Sequence, residues 1–361
     1  MTTWKNPLPG VPLIESPFFD EWLAQSGLDE ETRRIAIDLR RDGYAVFDFP
    51  ADDFDDLADR ARDDVGDMRE GHLQTDARTG IRPLVLDMAY GVRVQDAWAQ
   101  SQAVRDIACN PRILELLRIL YGRRGWPFQT LNFSCGTQQP YHSDSVHFST
   151  VPERFMCGVW VAFEDIDGDN GPLVYYPGSH QWPIYGNEHV GHWAEDAGTR
   201  NQETHRELWN RGVKAFGLER KQFRARRGQA LLWMANLLHG GDTQLDPKRT
   251  RWSQVTHYYF DDCAYVTPVF SDPIYGRWFY RNPIDLTTGQ RVENRYLGRT
   301  IPQEVIDRAA ARGSLEDKLQ RFDEKQYLLA NPDVKKAGVD PRQHYIEHGF
   351  KEGRPLTPAQ M

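Results

Sequence analysis

Two short stretches, Tyr141-His142-Ser143-Asp144 and Leu237-Leu238-His239-Gly240-Gly241, decide how this chain reads. On an extended strand, residues two apart share a face, so His142 and Asp144 project together. A second imidazole from a distant strand, His239, completes two nitrogens and one carboxylate on one side of a metal. That set leaves the remaining coordination positions open, as in non-haem Fe(II) oxygenases. An His-x-Asp triplet alone occurs often by chance. What strengthens it is Arg251-Trp252-Ser253, which follows His239 within the β-rich run that ends at Phe260.

Working outward, the texture from Gln129 onward is one of short β-rich runs separated by Gly, Pro, Asn and Asp turns. Candidate strands are 129–134, 146–151, 155–164, 172–176, 222–227, 229–235 and 252–260. Such a count suits a double-sheet jelly roll of the cupin type, with a metal held between strands. Upstream, Asp29 opens a helix through Ile35 and Leu39 that Gly43 is placed to stop. A strand over 44–49 follows. Phe54, Leu57, Ala58, Ala61 and Val65 then recur at helical spacing. The acidic residues opposite them, Asp52 to Asp63, read as a solvated face. A further helix is predicted from Gln102 to Tyr121. The expected class is α+β: a double-stranded β-helix core with flanking helices and a small C-terminal helical appendage.

An iron of this kind needs an electron-donating co-substrate, and the usual one is 2-oxoglutarate. A guanidinium grips its distal carboxylate through two parallel hydrogen bonds, which is the role expected of Arg251. Ser253 shares the face of Arg251 and can add a hydroxyl donor. The plain alternative is that Arg249 and Arg251 merely form a solvated basic edge.

These residues resemble the phytanoyl-CoA dioxygenase family of Fe(II)/2-oxoglutarate oxygenases, over roughly Arg40 to Phe260. Arg41-Asp-Gly-Tyr-Ala-Val-Phe47 is similar to the family's opening strand, and Asn110 to Gly122 to its helix before the barrel. The most specific stretch runs from Trp160 to His180, and Gly228-Gln-Ala-Leu-Leu-Trp233 then leads into His239. The resemblance implies that His142, Asp144 and His239 bind iron, that Arg251 holds 2-oxoglutarate, and that Trp160 lies near the co-substrate. Asn132, on the first candidate barrel strand, is taken as a further co-substrate contact. O2 would oxidise the co-substrate to succinate and CO2, with hydroxylation of a substrate C–H. Halogenating relatives replace the carboxylate with a small residue, so Asp144 favours hydroxylation. Two departures stand out. The arginine sits one residue further from the histidine than is common, which leaves Arg249 as a rival. Gly241 occupies a position where a serine often assists the co-substrate.

The chain has 361 residues, 40% of them hydrophobic, enough for one large domain and something small. Net charge of −8 argues against a nucleic-acid partner. No run approaches the apolar length of a membrane span, and the first residues lack the apolar core of a secretory signal. Cys109, Cys135, Cys157 and Cys263 are widely spaced and read as reduced, buried residues. Cytoplasmic residence is the expectation.

The oxygenase domain is expected over 1–312, with a lid-like insertion at about 181–220. His189, His192 and His205 in that insertion read as surface or packing residues. Residues 313–361 form the appendage, with a helix expected from Leu315 to Phe322. From Tyr327 to Pro355 it resembles a short helical module appended to bacterial enzymes, some acting on cell-surface polysaccharides. A homo-oligomer or a glycan-pathway partner is expected to use it. Within it, His344 and His348 stand four apart on one helix, a spacing that could clasp a metal, but the preferred reading is that Tyr345, His348 and Phe350 pack a small core. The many aromatic residues near the expected pocket suit a saccharide or another small polar substrate. The competing class is a jelly-roll module that binds a sugar without redox chemistry, and a third is a cupin-like isomerase. The intact set His142, Asp144, His239 and Arg251 weighs against the first of these, and the Arg-x-Ser pattern against the second.

Overall fold

Asp29 caps the first long helix as its sequence requires: its carboxylate accepts the Thr32 N–H at 2.9 Å, and Gly43 ends the helix at φ 83°. The computed structural model describes residues 5–88, 91–194, 199–311, 318–319, 322–350, 352 and 354–358. The first four helices are α1 (Phe19–Gln25), α2 (Glu30–Asp42), α3 (Phe54–Arg69) and α4 (Gln102–Ala108). The single helix expected from Gln102 to Tyr121 is two, because α5 (Pro111–Tyr121) starts afresh. Pro111 has no N–H to continue the ladder, and the Asn110 side chain accepts instead from the N–H groups of Arg112 and Ile113 at 2.9 and 3.1 Å.

Twelve strands build the β core: β1 (Tyr44–Asp48), β2 (Leu84–Met88), β3 (Gly91–Gln95), β4 (Gly125–Phe133), β5 (Ser149–Val151), β6 (Met156–Ala162), β7 (Leu173–Tyr175), β8 (Lys221–Phe223), β9 (Gln229–Met234), β10 (His239–Gly241), β11 (Ser253–Phe260) and β12 (Ala264–Val266). The large antiparallel sheet has the order β1-β9-β6-β11-β4-β3-β2, and a smaller one runs β10-β7-β8. The chain around Gln139 to His142 extends the smaller sheet beyond β10, since His142 bridges His239 and the Gly241 N–H reaches the Gln139 carbonyl at 2.9 Å. Two facing sheets of this order form a double-stranded β-helix. The β2–β3 hairpin, absent from the sequence reading, adds two strands to the edge beyond β4.

Strand alternation divides the core in two. On β11, Gln254 and Tyr258 turn to the helices, where they reach the carbonyls of Val104 and Ala108 at 3.1 and 2.8 Å. Ser253, Val255 and His257 turn between the sheets. The helix side is packed by residues such as Leu39, Ala61, Ile107 and Leu117. Between the sheets lie Phe133, Trp160, Leu173, Phe223, Leu231 and Trp233. In the insertion after Gln181, helices α6 (Asn187–Val190) and α7 (Thr199–Ala215) follow one another, and Trp182, Trp209 and Val213 pack against Val146, Tyr176 and Leu238.

Four short helices close the described chain: α8 (Gln303–Ala311), α9 (Glu324–Ala330), α10 (Pro332–Ala337) and α11 (Pro341–His344). Tyr327, Val334 and Tyr345 form a buried cluster of their own, apart from the β core. The helix expected from Leu315 to Phe322 lies largely outside the described residues, as does the expected domain boundary. No helix among the described residues is long and apolar enough to cross a membrane.

Candidate active site

His142 and His239 meet across neighbouring strands of the smaller sheet, and their rings lie 4.6 Å apart between centroids. Extended backbone carries the chain through Ser143 and then tightens into a 3-10 turn at Asp144–Val146. The shared face expected for His142 and Asp144 therefore comes from a strand end running into a turn, where a strand from 146 had been expected. The turn tucks the Asp144 carboxylate beneath both imidazoles. Its oxygens stand 3.7 Å from His142 Nε2 and 3.7 Å from His239 Nε2. One ligand atom from each of His142, Asp144 and His239 falls within 4.8 Å of the other two.

The imidazoles are held from behind. His142 Nδ1 lies 3.2 Å from the Pro140 carbonyl and His239 Nδ1 3.0 Å from that of Leu237. A carbonyl can only accept, so each Nδ1 carries the proton and each Nε2 presents its lone pair toward Asp144. Burial, with His239 beside it, brings His142 down to about 3, which keeps it neutral and able to ligate. Burial alone would push the Asp144 carboxyl up, but His239, His257 and His142 and the Trp233 indole N–H at 2.9 Å outweigh it and bring it to about 2. Trp233 itself fits because Gly158 lies against it: a Cβ there would come within 2.2 Å of the indole.

His257, on β11, also faces Asp144, with Nε2 3.7 Å from the carboxylate and Nδ1 3.1 Å from Gln129 Oε1. The triad opens into a cavity of about 370 Å³. Arg251 lines it and is 2% exposed. Its guanidinium lies 5.5 Å from the Phe133 ring and 5.9 Å from that of Trp160, and donates weakly to the Cys135 carbonyl at 3.3 Å. Burial lowers it to about 10, still charged at neutral pH. It makes no ion pair among the described residues, and its Nε has no hydrogen-bond partner. A buried, charged and unpaired guanidinium is costly unless an anion joins it. The rival Arg249 is half-exposed and already paired with Asp167 at 2.6 Å.

Trp160 lines the same cavity with its indole N–H unpartnered. Ser253 lies on the inner face of β11 but is not among the lining residues, and its hydroxyl stands 3.5 Å from the Arg251 carbonyl. Asn132 does not join the site. Alternation along β4 turns Gln129, Leu131 and Phe133 to the cavity and Asn132 away from it, where its amide donates to Gln254 Oε1 at 3.2 Å. The position of Gly241 is also explained: a Cβ there would come within 2.6 Å of the Thr137 hydroxyl, which lines the cavity. A hydroxyl is thus present in that corner, carried by a different residue.

Several lining residues escaped the sequence reading: Arg93 and Gln95 on the unforeseen hairpin, His147 after the turn, and His205 and Arg206 on α7. His205, expected to be ordinary packing, is buried on the cavity wall with Nε2 3.0 Å from the Tyr185 carbonyl. His189 and His192 stay off the wall. His344 contacts the Tyr327 hydroxyl at 2.9 Å and belongs to no metal-ligating group among the described residues. Asp67, Glu70 and His72 also cluster, but all three are exposed.

Residues 39–250 match the family model described as Phytanoyl-CoA dioxygenase (PhyH). The chain belongs to this family. It is a non-haem iron, 2-oxoglutarate-dependent oxygenase, and its cofactors are Fe(II), 2-oxoglutarate and O2. The two Nε2 atoms and the ionised Asp144 carboxylate offer donors of the kind that Fe(II) takes, and Arg251, without an ion pair among the described residues, suits a dicarboxylate. Among solved structures, the non-haem α-ketoglutarate-dependent carbocyclase SnoK of nogalamycin biosynthesis aligns at 16% identity and a TM-score of 0.51, over 66% of this chain and 87% of that one. The epimerase SnoN of the same biosynthesis aligns at 21% identity and a TM-score of 0.46, over 65% and 85%. EctD from S. alaskensis with bound Fe aligns at 20% and 0.46, over 72% and 80%. The SnoK likeness is one of fold. No curated protein sequence matches the chain.

Proposed function

We propose that His142, Asp144 and His239 hold Fe(II), that Arg251 binds the distal carboxylate of 2-oxoglutarate, and that this family member hydroxylates an unactivated C–H of a small polar molecule, a saccharide or a natural product. The observation that carries this reading is the meeting of two backbone-locked imidazoles and a buried carboxylate beside an arginine without an ion pair among the described residues, all in one cavity. When bound, iron with 2-oxoglutarate and O2 supplies an oxidant strong enough for such a bond, with release of succinate and CO2.

The chain's own work is to position and to exclude water. The Pro140 and Leu237 carbonyls fix the histidine tautomers, and Trp233 holds one Asp144 oxygen. Arg251, seated between Phe133 and Trp160, would anchor the far end of the co-substrate by a charge-assisted pair. Tyr141, Trp209 and Phe148 offer ring faces to a polyol at the cavity wall. The free cysteines suit a reducing compartment, and we place the protein in the cytoplasm. A partner, whether a second copy or a glycan-pathway protein, would use the C-terminal module, which we take as a separate unit from about residue 313.

The test is an anaerobic titration of the protein with Fe(II) and 2-oxoglutarate, followed by visible absorption. The weak charge-transfer band of the chelate should appear in the native protein and be absent from Asp144→Ala. A native protein that binds neither iron nor 2-oxoglutarate would overturn the reading.

A further inference from the structure

We propose that the substrate of this enzyme carries an acidic group, a carboxylate or a phosphate, received by Arg93 and Arg206; the proposal rests on the oxygenase reading above and names its substrate class.

The argument begins with charge. Among the described residues Asp144 is the only acid on the cavity wall, whereas three arginines, Arg93, Arg206 and Arg251, reach it. A divalent iron and a dianionic co-substrate cancel one another, and Asp144 offsets one guanidinium. Two positive charges are left over among the described lining residues, Arg93 half-buried and Arg206 exposed at the rim, in a protein whose net charge is −8. An excess of this sign inside an acidic protein selects for anions.

Geometry supports the same conclusion. The pairing of β3 with β4 sets Arg93 opposite Phe133 and Gln95 opposite Leu131, in the row that faces the cavity. Arg93 is half-buried, and its Nε is fully enclosed with no hydrogen-bond partner. No acid among the described residues pairs with it, and burial alone lowers its pKa. Arg281, nearby, stacks on Phe148 at 4.7 Å and donates to Thr267 at 3.2 Å, although its Nε too has no hydrogen-bond partner, and it is not among the residues that line the cavity. Arg206 approaches from α7, and the neighbouring Glu207 does not quench it because Glu207 binds Arg211 at 2.6 Å. One guanidinium from the sheet and one from the insertion thus line the same cavity, and each offers the planar donor set that pairs with a carboxylate or phosphate.

The test uses the full chain under anaerobic conditions with Fe(II) and 2-oxoglutarate, and three matched probes: glucose, glucuronate and glucose 6-phosphate. Binding is followed by calorimetry and by tryptophan fluorescence, since Trp209 and Trp233 line the cavity. At least one acid should bind about tenfold or more tightly than glucose, and Arg93→Gln and Arg206→Gln should each remove about that advantage. Neither variant should weaken glucose binding or the 2-oxoglutarate chelate band. Equal affinity for acid and neutral probes, no binding by either acid, or acid binding untouched by both substitutions would each overturn the proposal. So would an Arg93→Gln protein that loses 2-oxoglutarate as Arg251→Gln does, because Arg93 would then serve the co-substrate. If Arg93→Gln fails to fold, Arg206→Gln on an exposed helix face decides. Absence of the chelate band in the native protein sinks the oxygenase reading instead, and the probe titrations on metal-free protein remain readable.

Discussion

His142 and His239 are joined through their own backbones: the N–H of each donates to the carbonyl of the other, at 2.9 and 3.0 Å. Two ligand candidates far apart in sequence thus stand side by side, His239 on β10 and His142 on the extended chain that bridges it. Each Nδ1 is then tied to a carbonyl two residues upstream, so the ring planes are fixed before any metal arrives. Such preorganisation lowers the ordering cost of binding.

Removing a ligand should abolish turnover in every case, but the effect on folding should differ. His142→Ala and His239→Ala take away rings from the cavity wall. Asp144→Ala also strands the Trp233 indole N–H, which donates to that carboxylate at 2.9 Å in a buried setting. An orphaned buried donor costs about 1–3 kcal/mol. Thermal melting should therefore show a larger loss for Asp144→Ala than for His142→Ala, while iron stoichiometry falls in both. Wild-type hydroxylation by Asp144→Ala would remove the carboxylate from the ligand set.

Arg251→Ala should raise the KM for 2-oxoglutarate by about a hundredfold, the usual scale for losing one side of a buried charge-assisted pair. Arg249→Ala should leave that KM nearly unchanged, because Arg249 is engaged with Asp167 at the surface. Exposed pairs of that kind contribute little to stability. Steady-state kinetics on the two variants distinguish them, and the reverse outcome would shift the register of the site by two residues.

That His142, Asp144, His239 and Arg251 meet at one cavity was legible in the sequence because the chemistry proposed for them confines them to few residue types and the strand period orders them. The failures have physical reasons too. Asn132 was assigned to the site because a single strand does not reveal which of its faces turns inward; pairing with Gln254 turns it toward the helices. Arg93 was invisible because its hairpin gains its place only by adding to the edge of β4, a long-range choice that local propensity does not encode. Arg206 lies on a helix whose approach to the cavity depends on Trp182 and Trp209 packing under it.

Gly241 and Thr137 should behave as a pair. Gly241→Ser places a Cβ 2.6 Å from the Thr137 hydroxyl and 2.9 Å from the Gln138 backbone nitrogen, so the strand must shift, at a cost of about 1–3 kcal/mol. Thr137→Ala alone should weaken 2-oxoglutarate binding with little loss of stability. Combining the two should recover part of the Tm lost by Gly241→Ser, since one of the two clashes is gone. Strictly additive losses in Tm would mean that the two side chains do not compete for the same corner.

Truncation at Gly313 should leave the iron site intact. Among the described residues, none that lines the cavity lies beyond Val269. The C-terminal helices instead close on themselves: the Asn331 amide donates to the carbonyls of Tyr327 and Pro355, both at 2.9 Å, and Arg354 pairs with Asp333 at 2.5 Å. Their buried cluster of Tyr327, Val334 and Tyr345 is small for a unit that must stand alone. Docking against the rest of the chain or a second subunit would add to the area it buries. The shortened protein should keep its iron stoichiometry, its chelate band and its consumption of 2-oxoglutarate in the absence of substrate, while sedimentation reports any change in assembly. If it folds, as judged by circular dichroism, yet binds no iron, then His344 or His348 supplies a ligand, and His239 loses its assignment.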